Sequence, residues 1–307
     1  MYIFIDEIQE IKNWQKTLKL FYDLSNFKFF VSGSSSLVLS KEIHKLTGRF
    51  FLQKVHPLSF KEYLKFTNQN IKKVSKSKNT KQLIEYLKVG GYPEHVLNRQ
   101  PTYLKQAIES TLYRELFSHF GIRNPEYLET MLLYLSDKVT NAVSVKNLQK
   151  DLNINEGTVK SYLDYLQKIF LLHKAYKYGK SNKITKNSNP KYYFSDNGFL
   201  NLYTKSLNIG ALVENAFYLE LLRKNNKQEH NNIYYNEYEN QEVDFMHNDV
   251  DYEIKSGQKL LEKDLEKYEN LEKYIYIVTL YPQNKSLVQK FNYLKIISLK
   301  DFLLNST

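Results

Sequence analysis

The stretch IFIDEIQ, residues 3–9, decides how the first part of the chain is interpreted. Its apolar residues end in two adjacent acids, Asp6 and Glu7, and apolar side chains at helical spacing follow from Ile11 to Phe21. The apolar run predicts a buried strand, and FKFFVS, residues 27–32, predicts a second buried strand. The segment between them predicts the helix that connects two parallel strands.

Strands that alternate with helices predict an α/β fold with a doubly wound sheet over residues 1–66, with a third short strand near residues 49–55. Ligands of such sheets bind at the carboxyl ends of the strands, where Asp6-Glu7 and the hydroxyl groups of Ser32–Ser36 fall. One acid at a strand end can hold Mg²⁺ while a second orients the attacking water, and Asp6 and Glu7 fit these roles. The alternative is an acid pair that only caps the following helix.

The composition bounds the classes of protein to which the chain can belong. The 307 residues are 42% hydrophobic and 15% aromatic, which is enough for about two or three folded domains. Neither a secretory signal nor an apolar run of about 18 residues is present, which predicts a cytoplasmic protein without a membrane span. The absence of cysteine excludes disulfides and thiolate metal sites. The net charge of +11 favours DNA or another polyanion as a partner; the alternative is a lysine-, asparagine- and tyrosine-rich composition typical of an AT-rich genome.

The middle of the chain divides into three predicted parts. Residues 67–82 are polar and basic and predict a linker, whereas residues 83–138 have helical periodicity and predict a helical lid, interrupted by GGYP at 90–93. Residues 139–189 predict a winged helix with a wing at 177–186. Its second helix offers four residues to DNA, namely Glu156, Thr158, Lys160 and Ser161. The alternative is a winged helix that packs on its neighbours and contacts no DNA.

The last part, residues 190–307, returns to an α/β pattern and carries a second set of acids. Glu214 lies in GALVENAFYLELLRK, which predicts an amphipathic helix, and Asp244 lies near the end of a predicted strand. Glu253 and Lys255 are two residues apart on the next predicted strand, so their side chains are expected on the same face. Two carboxylates near one point can hold Mg²⁺, and a neighbouring lysine can position a water against a phosphodiester. A surface ion pair between Glu253 and Lys255 is the alternative.

The ordered set of motifs resembles the AAA-type ATPases of archaea and bacteria that carry a C-terminal domain of unknown function. Those motifs are DEIQ at 6–9, Trp14, GSSS at 33–36, Gly48-Arg49, PLSF at 57–60 with Glu62 and Leu64, GGYPE at 90–94 and YRE at 113–115. The resemblance implies that ATP and Mg²⁺ are the cofactors of the intact family and that Asp6 and Glu7 are the Walker B acids. It also implies a sensor hydroxyl at Ser32 or Ser34 and a phosphate-facing arginine at Arg49.

The chain departs from this family in one motif. The family's phosphate-binding loop, G-x-x-x-x-G-K-[ST], precedes the strand that ends in the acids, and no such motif occurs in the 307 residues. We therefore expect residues 1–66 to be the C-terminal half of an AAA-type ATPase core, and a missing N-terminal half becomes a candidate partner. Without the loop, tight binding of ATP by this chain alone is not expected.

The C-terminal set of acids resembles the PD-(D/E)xK nuclease fold, in the form similar to Holliday-junction resolvases. This resemblance implies a nuclease-like site of Glu214, Asp244, Glu253 and Lys255, with Asp244 and Glu253 as metal ligands, as Asp6 is in the first site. The leading interpretation is an ATP-binding protein that acts on DNA or a partner protein. The alternatives are a Mg²⁺-dependent nuclease and a non-catalytic module that binds DNA or protein.

Overall fold

The computed structural model describes most of the chain. The described residues are 1–24, 26–33, 46, 48–68, 76–112, 116, 122, 124–179, 181, 187–206, 208–225, 232–239, 241–268, 271 and 273–305. Within these residues no helix combines the length and the apolar character that a membrane crossing requires.

The N-terminal region contains two parallel strands. Strand β1 (Tyr2–Ile5) pairs with β2 (Lys28–Val31), and helix α1 (Trp14–Leu24) connects them, which confirms the predicted parallel pair. The expectation of buried strands is wrong. The residues of β1 alternate between exposed and half-buried, and those of β2 are exposed except for Phe29, which is half-buried. The small core consists of Ile8, Trp14, Leu18 and Leu46.

The third strand expected at residues 49–55 is not formed. These residues have no regular secondary structure, and all of their side chains are exposed. Among the described residues, the sheet of this region therefore has two strands instead of three. A strand needs a neighbouring strand as hydrogen-bond partner for its backbone N–H and C=O groups, and none of the described residues forms such a strand beside residues 49–55.

Helices dominate the region that follows. They are α2 (Phe60–Phe66), α3 (Lys76–Val89), α4 (Pro93–Asn98), α5 (Pro101–Thr111) and α6 (Pro125–Asp137). The GGYP segment separates α3 from α4 as predicted. The linker expected at residues 67–82 is corrected in part, because residues 76–82 belong to α3. Their polar composition hid this helix, whose buried apolar side chains include Leu83 and Leu87.

A helix–turn–helix follows, formed by α7 (Val145–Leu152) and α8 (Glu156–Lys168). Asn153 turns the chain with a positive φ of 53°, and Asn155 caps α8 by accepting the N–H of Gly157 at 2.8 Å. The predicted core residues Leu148, Ile154, Val159, Leu163 and Leu166 are buried, and Leu152 is partly buried against them. Most of the predicted wing lies outside the described residues.

The C-terminal region is built on a seven-stranded mixed sheet with the order β4-β3-β5-β6-β7-β8-β9. Its strands are β3 (Leu172–Lys177), β4 (Lys191–Phe194), β5 (Ile233–Tyr238), β6 (Gln241–His247), β7 (Val250–Lys255), β8 (Ile275–Thr279) and β9 (Leu294–Ser298). The β3–β5, β7–β8 and β8–β9 pairs are parallel, and the other pairs are antiparallel. The remaining helices are α9 (Asn197–Tyr203), α10 (Ile209–Asn225), α11 (Lys263–Glu266) and α12 (Leu299–Leu304).

Helix α10 is the central helix of the C-terminal region, and it is not amphipathic. Every residue from Ala211 to Leu221 is buried, because strands pack on one side of the helix and α3, α9 and α12 pack around the others. The expectation of an amphipathic helix is therefore wrong, and the carboxylates of Glu214 and Glu220 lie inside the protein. A helix that is buried all round has no solvent-facing stripe.

One of these charged residues, Arg223, holds the segment that follows the N-terminal region. Its Nη2 donates to the carbonyl oxygens of Pro57 at 3.0 Å and Leu58 at 3.5 Å. Its Nη1 lies 3.2 Å from the Oε2 of Glu220, a carboxylate that is fully buried. The PLSF motif is thus fixed to α10 by hydrogen bonds to its backbone.

The GGYP motif joins the same place through Asp196, which caps α9. Leu58 donates its N–H to the carbonyl of Gly91 at 2.8 Å, and Gly91 donates its own N–H to Asp196 Oδ2 at 2.6 Å. A Cβ at Gly91 would lie 2.2 Å from the carbonyl oxygen of Leu58, so only glycine fits there. We call Leu58, Gly91, Asp196, Glu220 and Arg223 the charged junction.

Candidate functional site

Strand β4 aims two polar side chains at the carboxylate of Glu214 on α10. Because side chains alternate along a strand, Lys191 and Tyr193 point to the same face. The hydroxyl of Tyr193 donates to Glu214 Oε1 at 2.8 Å, and Lys191 Nζ lies 3.8 Å from the same oxygen. Lys191 is only 1% exposed and also pairs with Glu242 at 2.7 Å. A lysine this deeply buried is stable only beside carboxylates.

Strands β6 and β7 bring the remaining predicted residues to this place. The N–H of Ile254 donates to Asp244 Oδ2 at 2.7 Å, which fixes Asp244 against β7. Lys255 Nζ lies 2.5 Å from Glu253 Oε1, so the two side chains share a face as predicted. Lys267, which follows α11, lies 3.5 Å from the same oxygen. We call Glu214, Asp244 and Glu253, together with Lys191 and Lys255, the acid cluster.

The carboxylates of the acid cluster interact electrostatically in two pairs, Asp244 with Glu253 and Glu214 with Asp244. Burial and then the Glu253 carboxylate raise the pKa of Asp244 to about 7, although Lys191 opposes this. Burial and then Asp244 raise the pKa of Glu214 well above its ordinary value. Burial opposes the charge of Lys255, but Glu253 and Asp244 outweigh it and raise the pKa of that lysine. Charged groups that perturb one another in this way are typical of functional sites.

The donor chemistry of the acid cluster suits a hard cation such as Mg²⁺, which uses one or two carboxylates and keeps several waters. Glu253 Oε2 is buried and makes no hydrogen bond among the described residues. Burial and then the neighbouring Glu253 carboxylate raise the pKa of Tyr268, whose hydroxyl therefore lies close to this carboxylate. Within the part of the chain that the structure describes, no three His, Asp or Glu side chains are placed to hold a metal ion together. The residues therefore fit a cation held by Asp244 and Glu253 with water, and not one enclosed by three carboxylates.

Sequence reasoning missed Lys191, Tyr193 and Lys267. The sequence signal that could have identified Lys191 is its position at the start of the apolar stretch KYYF. All four residues of this strand are buried. Lys267 lies in a lysine- and glutamate-rich segment, LLEKDLEKYEN, where no single lysine stands out. Only the folded chain reveals which of these lysines reaches Glu253.

Two residues of the predicted N-terminal site, Asp6 and Ser32, meet at the carboxyl ends of β1 and β2. The Asp6 carboxylate accepts a short hydrogen bond from the hydroxyl of Ser32, and the N–H of Glu7 donates to the same hydroxyl at 3.3 Å. The two strand ends therefore meet as predicted for parallel strands. Arg49 pairs with Asp23 on α1 at 3.2 Å, and its predicted contact with phosphate stays a prediction. Ser34 lies outside the described residues.

Two family models match separate parts of the chain. Residues 1–64 match the model of an AAA domain, and residues 80–209 match a domain of unknown function, DUF8612. The first match indicates an AAA-like ATPase region. The second covers most of the helical region, the helix–turn–helix and strands β3 and β4. No solved structure matches.

The chain is similar to uncharacterized proteins from distant organisms. It is 34% identical over 258 residues to an uncharacterized protein of Methanocaldococcus jannaschii, a match that covers 80% of this chain and 58% of that protein. It is 31% identical over 236 residues to an uncharacterized protein of Haemophilus influenzae, covering 73% of this chain and 58% of that protein. The chain thus spans less than two thirds of the length of both relatives.

Proposed function

We propose that this protein acts as an AAA-type ATPase whose nucleotide site is built only in part by these 307 residues. In this proposal Asp6 holds the Mg²⁺ of Mg·ATP, Glu7 orients the attacking water, and Ser32 contacts the water or the terminal phosphate. When bound, Mg²⁺ neutralises charge on the phosphates. The observation that carries the proposal is the hydrogen bond between Ser32 and Asp6 at the ends of two parallel strands, in a region that matches an AAA domain.

The phosphate-binding loop is proposed to come from a further polypeptide segment that covers the outer face of β1 and β2. Phe4 and Phe30 stack on that face with ring centroids 5.1 Å apart, and they are 75% and 53% exposed. Tyr2 extends the same apolar face. A soluble protein seldom leaves such a patch uncovered, so a strand or helix of the missing half is the expected occupant.

The test restores the missing loop and then removes the acids. A segment with the order strand, G-x-x-x-x-G-K-[ST], helix is taken from an AAA protein and fused in front of Met1, and release of phosphate from ATP is measured. Hydrolysis is expected in the fusion and is expected to fall at least about 100-fold in Glu7→Gln, which removes the residue that orients the water. Glu10→Gln, on the next turn, is the matched control. A fusion that hydrolyses ATP equally well with Asp6→Asn and Glu7→Gln would refute the proposal.

A second function is supported by a separate observation, the meeting of Glu214, Asp244, Glu253 and Lys255 in the acid cluster. We propose that this site hydrolyses phosphodiester bonds of nucleic acid. Asp244 and Glu253 would hold Mg²⁺, which supplies an activated water when bound. Lys255 pairs with Glu253 at 2.5 Å, and Glu214 is held by the hydroxyl of Tyr193.

The nuclease proposal is tested on the intact chain with single-stranded, duplex and branched DNA in the presence of Mg²⁺ or Mn²⁺. Cleavage is expected to fall at least about 100-fold in Glu253→Gln, because the substitution removes a charge that no neighbour replaces. Glu237→Gln, which alters a surface pair with Lys177 on the same sheet, is the control. Equal cleavage by the wild type and Glu253→Gln would refute the proposal, as would no cleavage of any substrate.

A further inference from the structure

The ammonium group of Lys191 lies among three carboxylates. Its Nζ is 2.7 Å from Glu242 Oε1 and 3.8 Å from Glu214 Oε1, and it also interacts electrostatically with Asp244. The side chain is 1% exposed, so solvent screens these interactions little. Several carboxylates around one buried point form a position for a cation, and in this structure the lysine occupies it.

The contacts of this ammonium group are ionic rather than directional. None of its contacts with the described residues has the geometry of a hydrogen bond, although Nζ carries three N–H donors. The ring of Tyr235 lies on a further side of the group, with its centroid 5.2 Å from Lys191 Nζ. The ammonium thus holds its carboxylates as a point charge, in the way that a metal ion does.

Glu214 is engaged by strand β4 and not by the strands that carry the other two acids. Its Oε1 accepts the hydroxyl of Tyr193 at 2.8 Å and faces Lys191. The ring of Tyr193 is fixed in turn by stacking on Tyr218, with centroids 4.2 Å apart. Asp244 is fixed instead to β7. The acids thus have separate partners, and within the described chain no three of them are placed to hold one metal ion together.

The carboxylate of Glu253 offers a different position. Lys255 and Lys267 contact its Oε1 at 2.5 Å and 3.5 Å, and the hydroxyl of Tyr268 lies close to the carboxylate. Its Oε2 is buried and makes no hydrogen bond among the described residues. The position of the proposed Mg²⁺, at Asp244 and Glu253, therefore contains a carboxylate oxygen without a hydrogen bond.

We propose that the acid cluster binds a single divalent cation, at Asp244 and Glu253, and that Lys191 fills the position of a second cation, at Glu214. This inference rests on the proposed function of the cluster as a metal-dependent nuclease. In sites that use two metal ions, the ions lie about 3.5 to 4 Å apart and together stabilise the attacking and leaving oxygens. Here the buried ammonium takes the place of the second positive charge, so only one ion has to bind.

The experiment measures the number of Mn²⁺ ions bound per intact chain, by titration calorimetry and by the electron paramagnetic resonance signal of free Mn²⁺. The wild type is expected to bind one ion that is lost in Glu253→Gln and kept in Glu214→Gln. Lys191→Gln is expected to bind a second ion, because carboxylates left without their ammonium attract a cation. That ion is expected to be lost again when Lys191→Gln is combined with Glu214→Gln. Lys177→Gln, in which a surface lysine loses its pair with Glu237 at 2.5 Å, is the matched control.

Thermal unfolding gives a second readout, which a purely structural lysine would not change. Without metal, Lys191→Gln is expected to unfold at a lower temperature than the wild type, since buried carboxylates lose their partner. Saturating Mn²⁺ is expected to raise the unfolding midpoint of Lys191→Gln by at least about 5 °C more than that of the wild type, because the second ion replaces the lost charge. Equal midpoint shifts in the two proteins would contradict the inference.

The outcomes separate the inference from the proposed function. Two ions in the wild type, one of which Glu214→Gln removes, would overturn the inference and leave the nuclease proposal intact, as would a folded Lys191→Gln that binds only one ion. If the wild type binds no ion that Glu253→Gln removes, the proposed metal-dependent function is wrong and the inference falls with it. If Lys191→Gln does not fold, the comparison of the wild type with Glu214→Gln decides, since it leaves the lysine unchanged.

Discussion

Replacement of Arg223 by methionine probes the charged junction, where the chain after the AAA-like region is held against α10. In Arg223→Met the fully buried Glu220 loses its ion pair at 3.2 Å, and one of its oxygens already lacks a hydrogen-bond partner among the described residues. A buried charge left without its partner costs about 3 to 5 kcal/mol. The lost bonds to the carbonyl oxygens of Pro57 and Leu58 add less, because both residues are half-buried and water can replace the donor.

A double variant measures how much of the stability lost in Arg223→Met is due to the unpaired carboxylate of Glu220. Glu220→Met together with Arg223→Met removes both charges and leaves an apolar contact of similar volume. We expect the double variant to be at least about 2 kcal/mol more stable than Arg223→Met alone, since the carboxylate of Glu220 is then absent. Urea unfolding followed by far-ultraviolet circular dichroism measures both, and Arg223→Met is expected to lower the midpoint by more than about 1 M. A double variant that is less stable than either single variant would refute this account of the junction.

Three further predictions follow from positions elsewhere in the chain. Gly91→Ala is expected to destabilise the protein by about 3 kcal/mol or more in the same urea assay, because its Cβ would lie 2.2 Å from the carbonyl oxygen of Leu58. Asp244 has its pKa raised from 3.8 to about 7 by burial and by Glu253, so the native state binds this proton more tightly and the wild type loses stability as the pH rises through this range. Between about pH 4 and pH 8, the free energy of unfolding is expected to fall by roughly 2 to 4 kcal/mol less in Asp244→Asn than in the wild type. The same pH dependence in both proteins would contradict the burial of this charge. Phe4→Lys is expected to raise the solubility limit, measured by light scattering. It is expected to change the free energy of unfolding, measured by calorimetry, by less than about 0.5 kcal/mol, because its ring is 75% exposed.

The sequence predicts the C-terminal part better than the N-terminal part, and the reason is the number of neighbours that each strand has. Strands β5 to β8 have partners within the described chain, so their apolar runs become buried strands as their pattern predicts. Strand β1 has the same apolar character, yet among the described residues it pairs with one strand, and its residues are exposed or half-buried. An apolar run indicates what a segment can bury, and the neighbouring elements decide whether it does.

The candidate site divides in the same way between what spacing predicts and what folding adds. The spacing of Glu253 and Lys255 on one strand predicts their contact, because strand periodicity alone places them on the same face. Lys191 comes from a strand 62 residues earlier than Glu253, and its contact with Glu214 depends on the packing of α10 against β4. Local patterns cannot reveal a contact that depends on how distant elements pack.

Helix α10 connects the charged junction to the acid cluster. Glu214 and Arg223 are nine residues apart, or about 13 Å along the axis, and every residue between Glu214 and Leu221 is buried. A helix packed on all sides moves as a rigid body or not at all. A displacement of the PLSF segment, which Arg223 holds through the carbonyl oxygens of Pro57 and Leu58, would therefore also displace Glu214 from Tyr193 and Lys191. The PLSF segment, which lies in the region that matches an AAA domain, is thus hydrogen-bonded to the same helix that carries Glu214 of the acid cluster.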